Sequence, residues 1–246
     1  MINELTMGGL LVSAAALFVG GFARGLTGFG NAAIIVTSLT FFLPPQQVVP
    51  LAIALEVIAG LMLLPSTTGA IHTSTLRTLL LGAALATPFG VLTLELVDAD
   101  ILRGGILLGI LAVSVMLIYG ITLPVPPGAG PTFAAGTVSG FGNGAAGLSG
   151  LPVALFLSAR RDEIASLRAT VSIYIVLIGM LTLAFLTLRG LVRADTLWAT
   201  GAALPPMLAG LLLGRRSFNR ISPATFRNAV LLLLCLASVL GLLPLL

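Results

Sequence analysis

Apolar residues fill long runs of this chain from end to end, with only brief polar stretches between them. A helix needs about 20 mostly apolar residues to cross the hydrocarbon core of a bilayer. Ten runs approach or reach that length, and they cover roughly residues 8–23, 28–43, 48–64, 76–94, 102–121, 131–142, 145–158, 167–188, 195–213 and 226–244. The pattern predicts an all-α integral membrane protein with about 8–10 transmembrane segments.

Glycine interrupts four of these runs, namely the first, second, sixth and seventh, and these four are also short. The other six are long enough to cross a membrane. Each half of the chain therefore consists of two short glycine-rich segments followed by three long ones. Such paired interruptions predict short broken or re-entrant helices at the centre of the protein.

The two interruptions also match in sequence. Gly25 and Gly144 lie 119 residues apart, and so do Gly28 and Gly147. Because each half holds five segments, an odd number, the second half must enter the membrane from the opposite side. We therefore expect two inverted repeats, residues 1–122 and 131–246, that together form one transmembrane transport domain. Close helix packing by small residues is the alternative explanation of the match.

Composition supports a membrane protein and narrows its partners. The chain is 58% hydrophobic and 8% charged, with a mean hydropathy of +1.16, whereas a soluble domain carries about 25% charged residues. All 12 basic residues are arginines, and all but Arg24 lie in or near short loops, so membrane topology and lipid contact explain them better than nucleic acid does. One His and one Cys are too few for a soft-metal carrier, and we expect no metal and no cofactor.

The arginines also predict an orientation. With ten crossings, most of them fall on the side that holds the loops at 65–75, 159–166 and 214–225. Cytoplasmic loops carry the excess of positive charge, so this side should be cytoplasmic and both termini should lie outside. Arg24 belongs to no loop, and we expect it at membrane depth.

The first interruption carries groups suited to an anion. A short helix beginning near Gly28 would present unpaired N–H groups and the positive end of its dipole. Arg24 adds a planar fork of donors that fits an oxyanion. The candidate substrate-binding residues here are Arg24, Gly25, Thr27, Gly28, Phe29, Gly30 and Asn31.

The second interruption supplies the matching half without a charge. Asn143 falls opposite Arg24 in the repeat, and a second helix start follows it. The candidate substrate-binding residues here are Asn143, Gly144, Gly147, Leu148, Ser149 and Gly150. An anion held between two helix N-termini is the simplest interpretation.

Glu56 is an ionisable residue inside an otherwise apolar run. A carboxyl group there is costly and suggests a function. It could carry a coupling proton, it could be the structural partner of Arg24, or it could be a protonated acid that faces lipid. Tyr174 and Ser172 fall near the equivalent point of the other half and could line the same cavity or simply pack, whereas His72 lies in a loop and receives no role.

The motifs at Gly21–Gly30 and Gly140–Pro152, with the step Leu167-Arg168-Ala169-Thr170, resemble those of the sulfite exporter TauE/SafE family over nearly the whole chain. The resemblance implies transport of sulfite or organosulfonates across the bacterial inner membrane, with export the expected direction. The chain departs from the usual pattern at Asn31-Ala32, where many members carry a glycine pair.

Other classes of function are less well supported. No phosphate-binding G-x-x-x-x-G-K-[ST] motif occurs, so coupling should come from an ion gradient, with protons as the candidate ion, or from the substrate gradient. A catalytic constellation at membrane depth is missing, which argues against an enzyme. A passive anion channel, or a carrier of another small organic anion, stays open as an alternative. A homodimer is compatible with the sequence.

Overall fold

The computed structural model describes residues 7–64, 71–121, 128–158, 164–217 and 223–243, and within these ranges every regular element is a helix. The all-α expectation is confirmed. The helices are α1 Met7–Thr27, α2 Asn31–Leu39, α3 Pro45–Leu63, α4 Thr73–Leu96, α5 Ala99–Ile118, α6 Ala129–Ala146, α7 Gly150–Ser158, α8 Ile164–Leu188, α9 Ala194–Ser217 and α10 Pro223–Leu242.

Six helices are long and apolar enough to cross a membrane, among the residues that the structure describes. They are α1, α3, α4, α5, α8 and α9. The sequence also predicts six full spans, but it counts the last run in place of the first. α1 reaches 21 residues because it continues to Thr27, whereas the apolar stretch of α10, Phe226–Leu242, is shorter.

The positions of both interruptions differ from the sequence prediction. The first run was expected to end at 23, yet α1 holds Arg24 and Gly25 within its last turns, and the break shrinks to residues 28–30. Similarly α6 continues through Asn143 and Gly144 to Ala146, and its break is residues 147–149. Gly25 and Gly144 do not end these helices, because each lies against the backbone of a neighbouring helix and its lack of a side chain permits that close packing.

Two pairs of helices make this close contact. α1 packs along α9, where a Cβ on Gly21 or Gly25 would overlap the carbonyl oxygens of Met207 and Leu211. α4 packs along α6 in the same way, and a Cβ on Gly140 would overlap the carbonyl of Ala83. Backbone lies directly against backbone, as small residues permit in membrane helix pairs.

Each short helix folds back beside the helix that precedes it. A Cβ placed on Gly20 of α1 would lie 3.4 Å from the side chain of Ile35 in α2. A straight continuation would separate these residues by about 20 Å, at 1.5 Å per residue. In the second half Ser139 of α6 donates a hydrogen bond to the carbonyl of Ser149, just before α7, at 2.8 Å. Both breaks are therefore the tips of helical hairpins.

α3 and α8 cross at the centre. A Cβ on Gly60 of α3 would press on Val176, and a Cβ on Gly179 of α8 would lie 2.6 Å from Val57. The outer surface is apolar, with large exposed side chains such as Leu81 and Leu236, as expected of a surface in contact with lipid. Trp198, at the start of α9, is 81% exposed, which suits a residue at the membrane interface.

Candidate functional site

The first break depends on two glycines with left-handed backbone. Gly28 has φ 89° and Gly30 has φ 94°, a region that other residues adopt only with strain. The Gly28 N–H donates to the Arg24 carbonyl at 2.9 Å and closes the last turn of α1. The Thr27 hydroxyl lies 2.8 Å from the Ala23 carbonyl and 2.9 Å from that of Phe29. These contacts turn the chain sharply, so α2 starts close to the end of α1.

The second break uses one left-handed glycine. Gly147 has φ 70° and ends α6. Its N–H donates to the Asn143 carbonyl at 2.9 Å, and the Leu148 N–H donates to the Gly142 carbonyl at 3.1 Å. Ser149 occupies the place that Gly30 holds in the first break. No described residue other than glycine has positive φ, so the second turn is made with one left-handed residue instead of two.

Arg24 and Glu56 form an ion pair in the interior. Arg24 Nη1 donates to Glu56 Oε1 at 2.9 Å, and the side chains are 0% and 7% exposed. The other carboxylate oxygen accepts a hydrogen bond from the Ala32 N–H, at the start of α2, at 3.2 Å. Glu56 thus joins the guanidinium of α1 to the N-terminal end of α2, where a negative charge is favoured. The structural partnership considered for Glu56 is confirmed.

Several buried polar atoms beside this pair have no hydrogen-bond partner among the described residues. They are Nε and Nη2 of Arg24 and both amide atoms of Asn31. The glycines around them are close: a Cβ on Gly60 would lie 3.1 Å from Arg24 Nη2, and one on Gly20 would lie 2.8 Å from Asn31 Oδ1. Buried polar groups are normally hydrogen-bonded, so this cluster carries unused capacity for a ligand.

The matching polar groups of the second half are paired instead. Asn143 Nδ2 donates to Thr182 Oγ1 at 2.7 Å. The Tyr174 hydroxyl donates to Ser139 Oγ at 2.8 Å, and Ser139 in turn reaches the Ser149 carbonyl. Of the two break regions, the first holds the charge and the unpaired donors, whereas the second holds neutral groups that are hydrogen-bonded to each other or to the backbone.

The hairpin tips of the two halves meet. A Cβ on Gly150 would lie 3.3 Å from Phe29, and one on Gly147 would lie 3.5 Å from Ile53 of α3. The two breaks are therefore neighbours, with Phe29 and Gly150 at their contact. His72 lies elsewhere: it precedes α4, and its backbone N–H donates to Thr170 Oγ1. Ser172 is buried on α8.

A small pocket opens beside the first tip. Its volume of about 10 Å³ has room for little more than one water molecule. Thr27, Phe29 and Gly30 line one side, and Arg227 of α10 lies on the other. From the sequence, Arg227 is expected only to contribute to the excess of positive charge on the cytoplasmic side. Its position beside the first tip was not predicted, nor were the positions of Gly60 and Ala32 beside the ion pair. No local signal marks these residues, because their neighbours come from other helices.

Comparison with known proteins gives one match. A family model described as sulfite exporter TauE/SafE matches residues 13–240. Searches of curated proteins and of solved structures found nothing that matches.

Proposed function

The chain belongs to the sulfite exporter TauE/SafE family, and on this premise we propose that it is a secondary transporter that exports sulfite or organosulfonates. It is a multi-pass protein of the cell inner membrane. The proposed substrate site is centred on Arg24, Thr27 to Asn31 and the facing residues Asn143 to Gly150.

The observation that carries this proposal is that two nitrogens of the buried Arg24 guanidinium have no hydrogen-bond partner among the described residues. A guanidinium at 0% exposure that uses one nitrogen on Glu56 still offers Nε and Nη2, with Asn31 also unpaired nearby. These two nitrogens form the edge that binds two oxygens of a planar or tetrahedral oxyanion at once. A sulfur oxyanion would occupy both donors, and it would supply a second negative charge to the buried cation.

Corresponding contacts support an inverted repeat of residues 1–122 and 131–246. The bond from Gly28 to Arg24 has its counterpart in the bond from Gly147 to Asn143, and each pair is shifted by 119 residues. The reciprocal contacts of Gly60 with Val176 and of Gly179 with Val57 follow the same shift. α1 on α9 corresponds to α6 on α4.

The short helices fit a re-entrant arrangement. α2 and α7 have nine residues each, about 14 Å at 1.5 Å per residue. A hydrocarbon core is about 30 Å thick, so neither helix crosses it alone. Hairpin tips that meet inside the protein place irregular backbone where a cavity opens during transport.

Glu56 gives the site a means of coupling to protons. The anion and the ionised carboxylate compete for one guanidinium, because both are acceptors for Arg24. Protonation of Glu56 removes that competition and the repulsion between the carboxylate and the anion. Anion binding and proton uptake by Glu56 are then linked, each favouring the other. Proton and anion therefore move in the same direction, and export is driven by the outward gradient of the anion.

Glu56→Gln is expected to abolish proton-coupled transport while the protein still binds the anion. Glutamine is neutral and keeps an oxygen that accepts from Arg24, so the substrate site is kept but the group proposed to carry the proton is removed. Binding of sulfoacetate is measured by isothermal titration on the purified protein. Transport is measured in proteoliposomes with a proton gradient imposed in the direction of anion movement, and this transport should be lost in the variant.

The neutral variant leaves Arg24 buried without its counter-ion, which destabilises a protein by about 3–5 kcal/mol. Added sulfoacetate should restore much of the thermal stability, since the anion replaces the missing charge. Full proton-coupled transport in Glu56→Gln would remove Glu56 from the coupling scheme. The matched control is Glu95→Gln, whose carboxylate pairs with Arg189 at an exposed position.

A ligand screen tests the substrate class. Sulfite, thiosulfate, sulfate, sulfoacetate and taurine are added separately to the purified protein, and the apparent melting temperature is measured. Only anions bound by the folded state should raise it, and we expect sulfite and sulfoacetate to do so. Saturable exchange of the same anions in proteoliposomes separates a carrier from a channel. Absence of stabilisation and exchange with every sulfur anion would contradict the proposed function.

A further inference from the structure

We propose that Arg227 forms a second, cytoplasm-facing anion subsite, which collects the substrate and passes it to Arg24. The proposal rests on the function proposed above. It concerns the pocket between the first hairpin tip and α10, whose lining includes Thr27, Phe29, Gly30 and Arg227. Arg227 lies outside both glycine-rich motifs.

The pocket and Arg24 occupy adjoining faces of the same turn of α1. Ala23 and Thr27, four residues apart, line the pocket, whereas Arg24, one residue on from Ala23, contacts Glu56 of α3. Only the end of α1 and the tip separate the pocket from Arg24. Gly30 leaves free space at this tip, because a Cβ there would meet nothing within 4 Å.

α10 presents its arginine at the end of an apolar stripe. Arg227, Val230, Leu231 and Leu234 line the pocket, and this spacing places them on one helix face. The first turn of α10 is fixed against α1 by the rings of Phe22 and Phe226, whose centroids lie 5.1 Å apart. The charge therefore has a defined position beside an apolar wall. The low dielectric constant of such surroundings strengthens its attraction for an anion.

Arg227 is available for such a role. Its Nε is buried without a hydrogen-bond partner, and within the described residues it forms no salt bridge. α5 and α10 begin 124 residues apart and also end 124 residues apart. Arg103 of α5 therefore occupies the position that corresponds to Arg227 of α10. Asp100 holds Nη1 of Arg103 at 3.1 Å, whereas Ala224 takes the place of Asp100 beside Arg227. Among the described residues, Arg227 on the side predicted to be cytoplasmic has no carboxylate partner, whereas Arg103 on the opposite side has one. This difference suits a carrier loaded from the cytoplasm.

Arg227→Gln tests the subsite, with Arg216→Gln as the control because Arg216 is exposed at the end of α9 on the same side. Efflux of sulfite and of sulfoacetate is measured in oriented vesicles at low and high salt, and equilibrium binding is measured on the purified protein. Electrostatic capture changes association by about 10-fold or more. We therefore expect Arg227→Gln to raise the cytoplasmic KM about 10-fold and to weaken its salt dependence. The equilibrium affinity and kcat should stay within about 2-fold, and Arg227→Lys should restore the KM.

The outcomes separate the subsite from the transporter itself. If Arg227→Gln behaves as Arg216→Gln does, or if it removes equilibrium binding altogether, no separate capture site exists at Arg227. In either case the proposed function stands, provided that the parent protein binds the anion and Arg24→Ala does not. If the parent protein neither binds nor transports either anion, the proposed function fails, and the subsite fails with it.

Discussion

Arg24→Ala is expected to reduce the affinity for sulfite and sulfoacetate by about 100-fold or more. The proposed anion accepts hydrogen bonds from Nε and Nη2, both of which are buried and unpaired. A hydrogen bond to a charged group contributes about 1.5–3 kcal/mol, and two of them correspond to at least about 100-fold in affinity. Isothermal titration on purified protein measures the loss. Arg24→Lys keeps the charge but not the planar fork, so its affinity for the anion should lie between that of the parent protein and that of Arg24→Ala.

The variant also removes the partner of Glu56, and two controls separate this effect from binding. In Arg24→Ala/Glu56→Gln no unpaired charge is left, so stability should recover while the anion still fails to bind. Arg189→Ala removes an arginine from an exposed ion pair with Glu95, and it should leave the affinity within about 2-fold. Unchanged affinity in Arg24→Ala would show that the substrate binds elsewhere and that Arg24 serves only the pairing of α1 with α3.

Gly140→Val should prevent assembly of the helix bundle. A Cβ at this position would overlap the Ala83 carbonyl of α4 and lie 2.5 Å from its Cα. Backbone atoms cannot rotate away as a side chain can, so the helices must separate along their whole contact. Overpacking usually destabilises by about 1–3 kcal/mol, and this contact should reach the upper end or exceed it. The yield of monodisperse protein after detergent extraction measures the effect, and it should fall several-fold.

Gly109→Val is the matched control, because a Cβ on Gly109 of α5 would meet nothing within 4 Å. Its yield should equal that of the parent protein. Gly140→Ala should also lower the yield, but less than Gly140→Val, because the Cβ alone already overlaps the backbone of Ala83. Normal yield in Gly140→Val would mean that α4 and α6 do not lie in contact through their backbones.

Glycine illustrates how far sequence reading could go at the breaks. The matched motifs correctly marked both interruptions, but Gly25 and Gly144 serve helix packing inside α1 and α6. Gly28 and Gly147 have positive φ and form the turns. At Gly147 an added Cβ would meet only ordinary contacts, the nearest at 3.5 Å, so backbone conformation requires the glycine there more than space does. The two uses of glycine cannot be told apart without the neighbouring helix.

The sequence by itself determined the helical membrane fold, the paired interruptions and the burial of Arg24, because each follows from local composition: apolar runs must span lipid, and an arginine far from any loop must find a partner. Only the tertiary structure decided which atoms of Arg24 are occupied by Glu56, that Asn143 is already bonded to Thr182, and that Arg227 lies beside the first tip. These facts depend on contacts between residues that lie 32, 39 and about 200 positions apart. Such contacts are set by how the helices pack, and no local pattern in the chain says which distant residue a given side chain will meet.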